Sequence, residues 1–169
     1  MRKMLLIVTV LALVQPHICC GTNSQSSFGY NPYTDKGWDD DDVAYFNLYK
    51  TSFEHKKMGV LYSFMQLRDM KIRFVGSYGT SPWITPGGKS YMRELFIYSR
   101  DLQMLSKGMP YRIIIVTLDF NDNDTSVDDK EFWRSMDDDK DEIEQFIEKT
   151  KNLVIKSCVL ELMTWQFDE

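Results

Sequence analysis

The apolar positions of the chain change period several times, and each change marks a predicted element. Val43, Phe46, Tyr49 and Phe53 recur at three- and four-residue spacing, the stripe of an amphipathic helix. Asp39 to Asp42 stand ahead of its first turn, where carboxylates suit the positive end of the helix dipole. The spacing predicts one helix running towards Met58, with Gly59 as its break. Leu61, Phe64, Met65 and Arg68 are again helical in spacing, whereas Lys71, Ile72, Arg73, Phe74 and Val75 alternate as a strand does. Gly76, Gly79, Pro82, Pro86, Gly87 and Gly88 predict a loop. Residues 91–105 fit helix and strand equally. Gly108-Met109-Pro110 is a turn signal, and the β-branched run 111–120 is the clearest strand in the chain. Ile143, Phe146, Ile147 and Thr150 predict a short amphipathic helix, and residues 153–167 a long final strand.

Composition adds a core and a charge map. The chain has 169 residues, 43% hydrophobic and 14% aromatic, enough for one packed domain and too short for a multidomain enzyme. With 25 acidic and 20 basic residues it carries a net charge of −5, which argues against a nucleic-acid partner. Residues 119–144 hold 12 acidic and 3 basic side chains, so the acidity belongs to this one segment and the other residues, 13 acidic and 17 basic, carry a slight positive excess. The segment reads as an acidic helical or loop insertion on the surface of the fold.

The first twenty residues read as a secretory signal. Arg2 and Lys3 precede an apolar run of 11 residues, Met4 to Val14, followed by small residues around Cys19-Cys20-Gly21. A membrane span needs about 20 apolar residues, and neither this run nor any later one reaches that length. Acylation of Cys19 or Cys20 as in a bacterial lipoprotein is the alternative, and Pro16-His17-Ile18 fits it poorly. A secreted, extracellular protein is expected. Residues 21–38 would form an extended arm and 39–169 a single globular domain. Cleavage leaves Cys158 as the one cysteine, either a buried thiol on a strand or one half of an intermolecular bridge.

Few constellations carry chemistry. Asp119, Asn121 and Asn123 begin like a calcium loop, but an EF-hand needs glycine at the sixth position and glutamate at the twelfth, where Asp124 and Lys130 stand. Asn123-Asp124-Thr125 is an N-glycosylation sequon, which has meaning only behind a signal peptide. Only His55 remains after cleavage, so no histidine pair is available for zinc. A Cys158–His55 dyad is conceivable, but no catalytic turn surrounds Cys158. No phosphate loop is present, and no carboxylate pair is singled out by spacing. The expectation is a protein without catalytic residues, metal or cofactor.

Three stretches resemble the cystatins. Leu102-Gln103-Met104-Leu105-Ser106-Lys107-Gly108 is similar to their first hairpin loop, whose motif is Q-x-V-x-G, and the run from Tyr111 to Leu118 looks like the strand leaving that loop. Ser157-Cys158 to Trp165 resembles their final hairpin, where a cysteine-bearing strand runs to a tryptophan. The sequence departs from the pattern where the loop glycine comes one residue late, Leu105 replaces valine, and Thr164-Trp165 replaces Pro-Trp. The resemblance implies an α+β fold: a single N-terminal helix packed on a four- to five-stranded antiparallel sheet. It further implies a wedge for the cleft of papain-like cysteine proteases, built from Gly37, from Gln103, Leu105 and Gly108, and from Trp165. The competing expectation is a secreted interaction module on an unrelated α+β scaffold, with the acidic segment facing a basic cytokine or receptor. A lipocalin-like carrier comes third, because the clear strands are few.

Overall fold

The computed structural model describes residues 37–80, 90–119 and 127–163. The chain enters through helix α1 (Asp40–Tyr49), started by a reciprocal capping box. The Asp42 amide donates to the Asp39 carboxylate at 2.8 Å, and the Asp39 amide donates to the Asp42 carboxylate at 3.2 Å. A 3-10 turn (Lys50–Phe53) follows, and then helix α2 (Met58–Leu67).

Two helices therefore precede the sheet where the cystatin resemblance implies one, and Gly59, expected as a break, lies inside the second. The break falls at residues 54–57 because their backbone is claimed by another strand. The His55 amide donates to the Ile155 carbonyl at 2.7 Å, and the Ile155 amide donates to Lys56 at 2.9 Å. His55 takes a left-handed φ of 59° to do so. The α2 N-terminus is closed by the next residues of the same return: Met58 donates to the Leu153 carbonyl at 2.8 Å and Gly59 to that of Lys151 at 2.9 Å. A Cβ on Gly59 would stand 3.3 Å from the Lys151 oxygen, so the residue permits a close approach instead of ending a helix.

Four strands follow: β1 (Phe74–Gly79), β2 (Met92–Tyr98), β3 (Tyr111–Leu118) and β4 (Ile155–Met163). They form one antiparallel meander in the order β1-β2-β3-β4. Gly76 and Gly79, expected in a loop, belong to β1. Gly76 faces Phe96 across the pair, beside the Phe96 and Tyr98 rings. The ambiguous stretch 91–105 divides at Asp101: β2 lies before it, and a short helix α3 (Leu102–Ser106) after it.

The two sheet faces have different neighbours. Val75, Leu95, Ile97, Ile114, Val116 and Cys158 join the main core with Phe46 and Phe53, with Met58, Leu61, Tyr62 and Met65, and with Phe132 and Phe146. Trp38, expected in the arm, is 2% exposed within this core. Phe132 comes from helix α4 (Asp129–Arg134) and Phe146 from helix α5 (Glu142–Thr150). The acidic segment is thus no surface appendage. The carboxylates of residues 137–144 are exposed, while Phe132, Trp133 and Phe146 pack on one another at centroid distances of 5.3–6.0 Å, Phe132 edge-on to the other two rings, and close the core over β1. Burying such a phenylalanine is worth about 1.5–3 kcal/mol, which fixes the segment to the sheet.

The opposite sheet face carries a smaller cluster. Leu105, Tyr111 and Ile113 are buried there, with Phe74, Phe96, Tyr98, Ile115 and Met163 half-buried around them. Only α3 covers part of this face among the described elements.

Candidate functional site

One end of the sheet gathers the regions that the sequence singled out. β2 ends and β3 begins there, joined by the segment that contains Gln103, Leu105 and Gly108. Asp101 caps α3 by accepting from the Met104 amide at 3.0 Å. The turn closes when the Gly108 amide donates to the Leu105 carbonyl at 3.0 Å, with Gly108 at a left-handed φ of 69°.

Gly37 arrives at the same end. Its φ is +69°, and a Cβ there would stand 3.0 Å from Ser99 Oγ, just past the end of β2. Ser99 in turn donates its amide to Arg112 at 2.9 Å and accepts the Arg112 amide on its hydroxyl at 2.9 Å. The Arg112 guanidinium then donates to the Trp38 carbonyl and pairs with Asp40. Trp38 Nε1 donates to the Lys71 carbonyl at 2.9 Å. A single arginine therefore ties the entry of the chain to the start of β3. β4 finishes here as well, with Met163 opposite Tyr111 and the Tyr111 hydroxyl 3.9 Å from Met163 Sδ.

The candidate residues fare differently. Gln103 is exposed, as are Leu102, Ser106 and Lys107. Leu105 is 2% exposed, packed with Tyr111 and Ile113, so its side chain holds the loop down and offers no surface. The helical turn is the reason, since it aims residues 104 and 105 inward together. Leu102, 40% exposed, is the apolar side chain that the loop does present. Trp165, the sequon at Asn123 and residues 1–20, expected as a signal, lie outside the described residues.

Cys158 is buried on β4, and its thiol donates to the Lys50 carbonyl at 3.5 Å. Burial, reinforced by the Glu54 carboxylate and opposed by Lys50, pushes the thiol up to about 11. A thiol held there is protonated at neutral pH and is no nucleophile. His55 is turned instead to Asp119, 3.5 Å from its carboxylate, and links the α1–α2 connection to the end of β3. Among the described residues no group of three His, Cys, Asp or Glu is placed to hold a metal ion, and no helix is long and apolar enough to cross a membrane.

The sequence reading missed an aromatic row on the second sheet face. Phe74 and Tyr98 lie 5.1 Å apart, and Tyr98 and Tyr111 5.7 Å. Burial and the neighbouring Tyr111 push the Tyr98 phenol well above its ordinary range, and burial raises Tyr111 too. The signal was present: Leu95 and Ile97 alternate with Phe96 and Tyr98, so both faces of β2 are apolar.

No protein-family model, curated protein or solved structure matches this chain.

Proposed function

We propose that the protein is a secreted, cystatin-like binding protein without catalytic activity, and that it engages papain-like cysteine proteases through this end of the sheet. The observation that carries the reading is convergence. The entry at Gly37, the loop from Gln103 to Gly108 and the last described residue of β4 share one end of an antiparallel meander. Trp165 follows Met163 by two residues in the sequence. A blunt edge built from an arm and loops fills a cleft without offering a scissile bond, and a tryptophan supplies apolar contact where water is excluded. Because Leu105 is buried, Leu102, Gln103 and Lys107 are the loop side chains that would meet the protease. The test is titration of papain and cathepsin L with the chain lacking residues 1–20. Tight inhibition, weakened by Trp165→Ala, is expected. Full protease activity at micromolar chain contradicts the reading.

A second reading rests on a different surface. Asp137, Asp138, Asp139, Asp141, Glu142 and Glu144 are all exposed along the α4–α5 connection and the first turn of α5. This ridge suits a basic extracellular partner, with charge setting the rate of encounter more than the affinity. Association that slows steeply with added salt is its signature. A rate indifferent to salt removes it.

A further inference from the structure

Three separate stretches meet at this end of the sheet, and Arg112 touches each of them. At the base of the loop its carbonyl accepts from the Ser99 amide, and its own amide donates to Ser99 Oγ, each at 2.9 Å. Nearer the loop, Arg100 Nε donates to the Pro110 carbonyl at 2.8 Å, so the base is closed twice. In the β3–β4 register Arg112 stands opposite Leu162, one residue before the last described position of β4. Its side chain reaches the entry of the chain, where the guanidinium donates to the Trp38 carbonyl and to the Asp40 carboxylate.

The two partners of this ion pair differ in setting. The Arg112 side chain is 17% exposed, and that of Asp40 is 97% exposed. A guanidinium so shielded from water is costly unless its donors are met, so it fixes the acceptors that reach it. Its planar fork serves a carbonyl and a carboxylate at once, which a single ammonium does less well. Gly37 completes the fit: a Cβ there would stand 3.0 Å from Ser99 Oγ, the oxygen that accepts the Arg112 amide. A binding edge made of separate stretches loses affinity when they must be ordered on binding, because the competent arrangement is then only a fraction of the population.

We propose that Arg112 is the positioning residue of the edge assigned to proteases, an inference that rests on that reading. It holds Gly37 and Trp38 against the base of the loop, so that entry and loop meet a cleft as one preformed surface. Shielded behind that surface, Arg112 meets no protease atom. Its loss therefore lowers the fraction of chains ready to bind and slows association, while dissociation of the finished complex is unchanged. Loss of a contact residue would instead quicken dissociation.

Stopped-flow rates of papain inhibition by the chain lacking residues 1–20 test this. Arg112→Gln should slow association about tenfold with dissociation unchanged. Arg112→Lys, which keeps the charge and loses the fork, should fall between that variant and the native chain. The titration end point counts folded chains, so a merely structural loss lowers the end point and leaves the rate per active chain as it was. Asp40→Asn weakens one of the two acceptors from an exposed side chain and should slow association about threefold, which decides the matter if Arg112→Gln does not fold. No inhibition by the native chain removes the protease reading, and the positioning role with it. Native inhibition with both Arg112→Gln and Asp40→Asn associating at the native rate overturns the positioning role alone. So does faster dissociation of Arg112→Gln, which would place Arg112 within the contact.

Discussion

Tyr62 shows how a polar group is accommodated in this core. Its hydroxyl lies 2.6 Å from Thr150 Oγ1, and both residues are buried. Thr150 has one hydroxyl proton and donates it to the Phe146 carbonyl at 2.6 Å, so Tyr62 is the donor of the pair. Desolvation pushes the phenol far above its ordinary value, and the bond to Thr150 only partly offsets this. Tyr62→Phe leaves the Thr150 donor satisfied and should cost about 1 kcal/mol in urea unfolding. Phe146→Ala, by contrast, empties the junction of α5 with Trp133 and should cost about 3–5 kcal/mol in the same measurement. Cys158 makes stability depend on pH. Its folded-state thiol, at about 11, lies above the ordinary value of 9.0, so the unfolded chain loses this proton first. The contribution is complete below pH 9 and is lost as pH rises towards 11. Unfolding midpoints of the native chain should therefore fall across that interval, and those of Cys158→Ser should fall less.

At the scale of elements, two backbone conformations hold the candidate end in shape. Gly37→Ala places a Cβ at 3.0 Å from Ser99 Oγ in a left-handed conformation, and should lower stability by about 1–2 kcal/mol. Asp39→Ala removes the acceptor that starts α1 and should cost about 1 kcal/mol. Thermal denaturation of the two variants checks both. Several elements were legible from local pattern. Asp39 to Asp42 marked the start of α1, the isoleucine run marked β3, and Ile143 with Phe146 and Ile147 marked α5. What local pattern missed depended on distant partners. The break between α1 and α2 is imposed by β4, which lies about a hundred residues further on and takes the backbone groups of His55 and Lys56. The loop at Gln103 followed the resemblance into a tight hairpin. Asp101 and Met104, at N-cap spacing, carried the signal that α3 forms there instead.

For the whole molecule, the acidic segment was the largest misreading. Charge count describes the side that faces water, and Phe132, Trp133 and Phe146 within 15 residues of one another were the sign of a second, buried side. Helices α4 and α5 should accordingly unfold with the sheet in one transition, and circular dichroism and tryptophan fluorescence should give the same midpoint. Among the described residues the sheet is covered by helices on one face and only partly by α3 on the other, and the end that holds Gly37 and the loop from Gln103 to Gly108 is the one proposed to meet a protease. Hydrogen–deuterium exchange of the chain with and without active-site-blocked papain tests that assignment directly. Slowed exchange is expected at the amides of Leu102 to Met109 and around Gly37, with α4 and α5 unchanged. Unchanged exchange along Leu102 to Met109, or protection confined to the α4–α5 ridge, would contradict it.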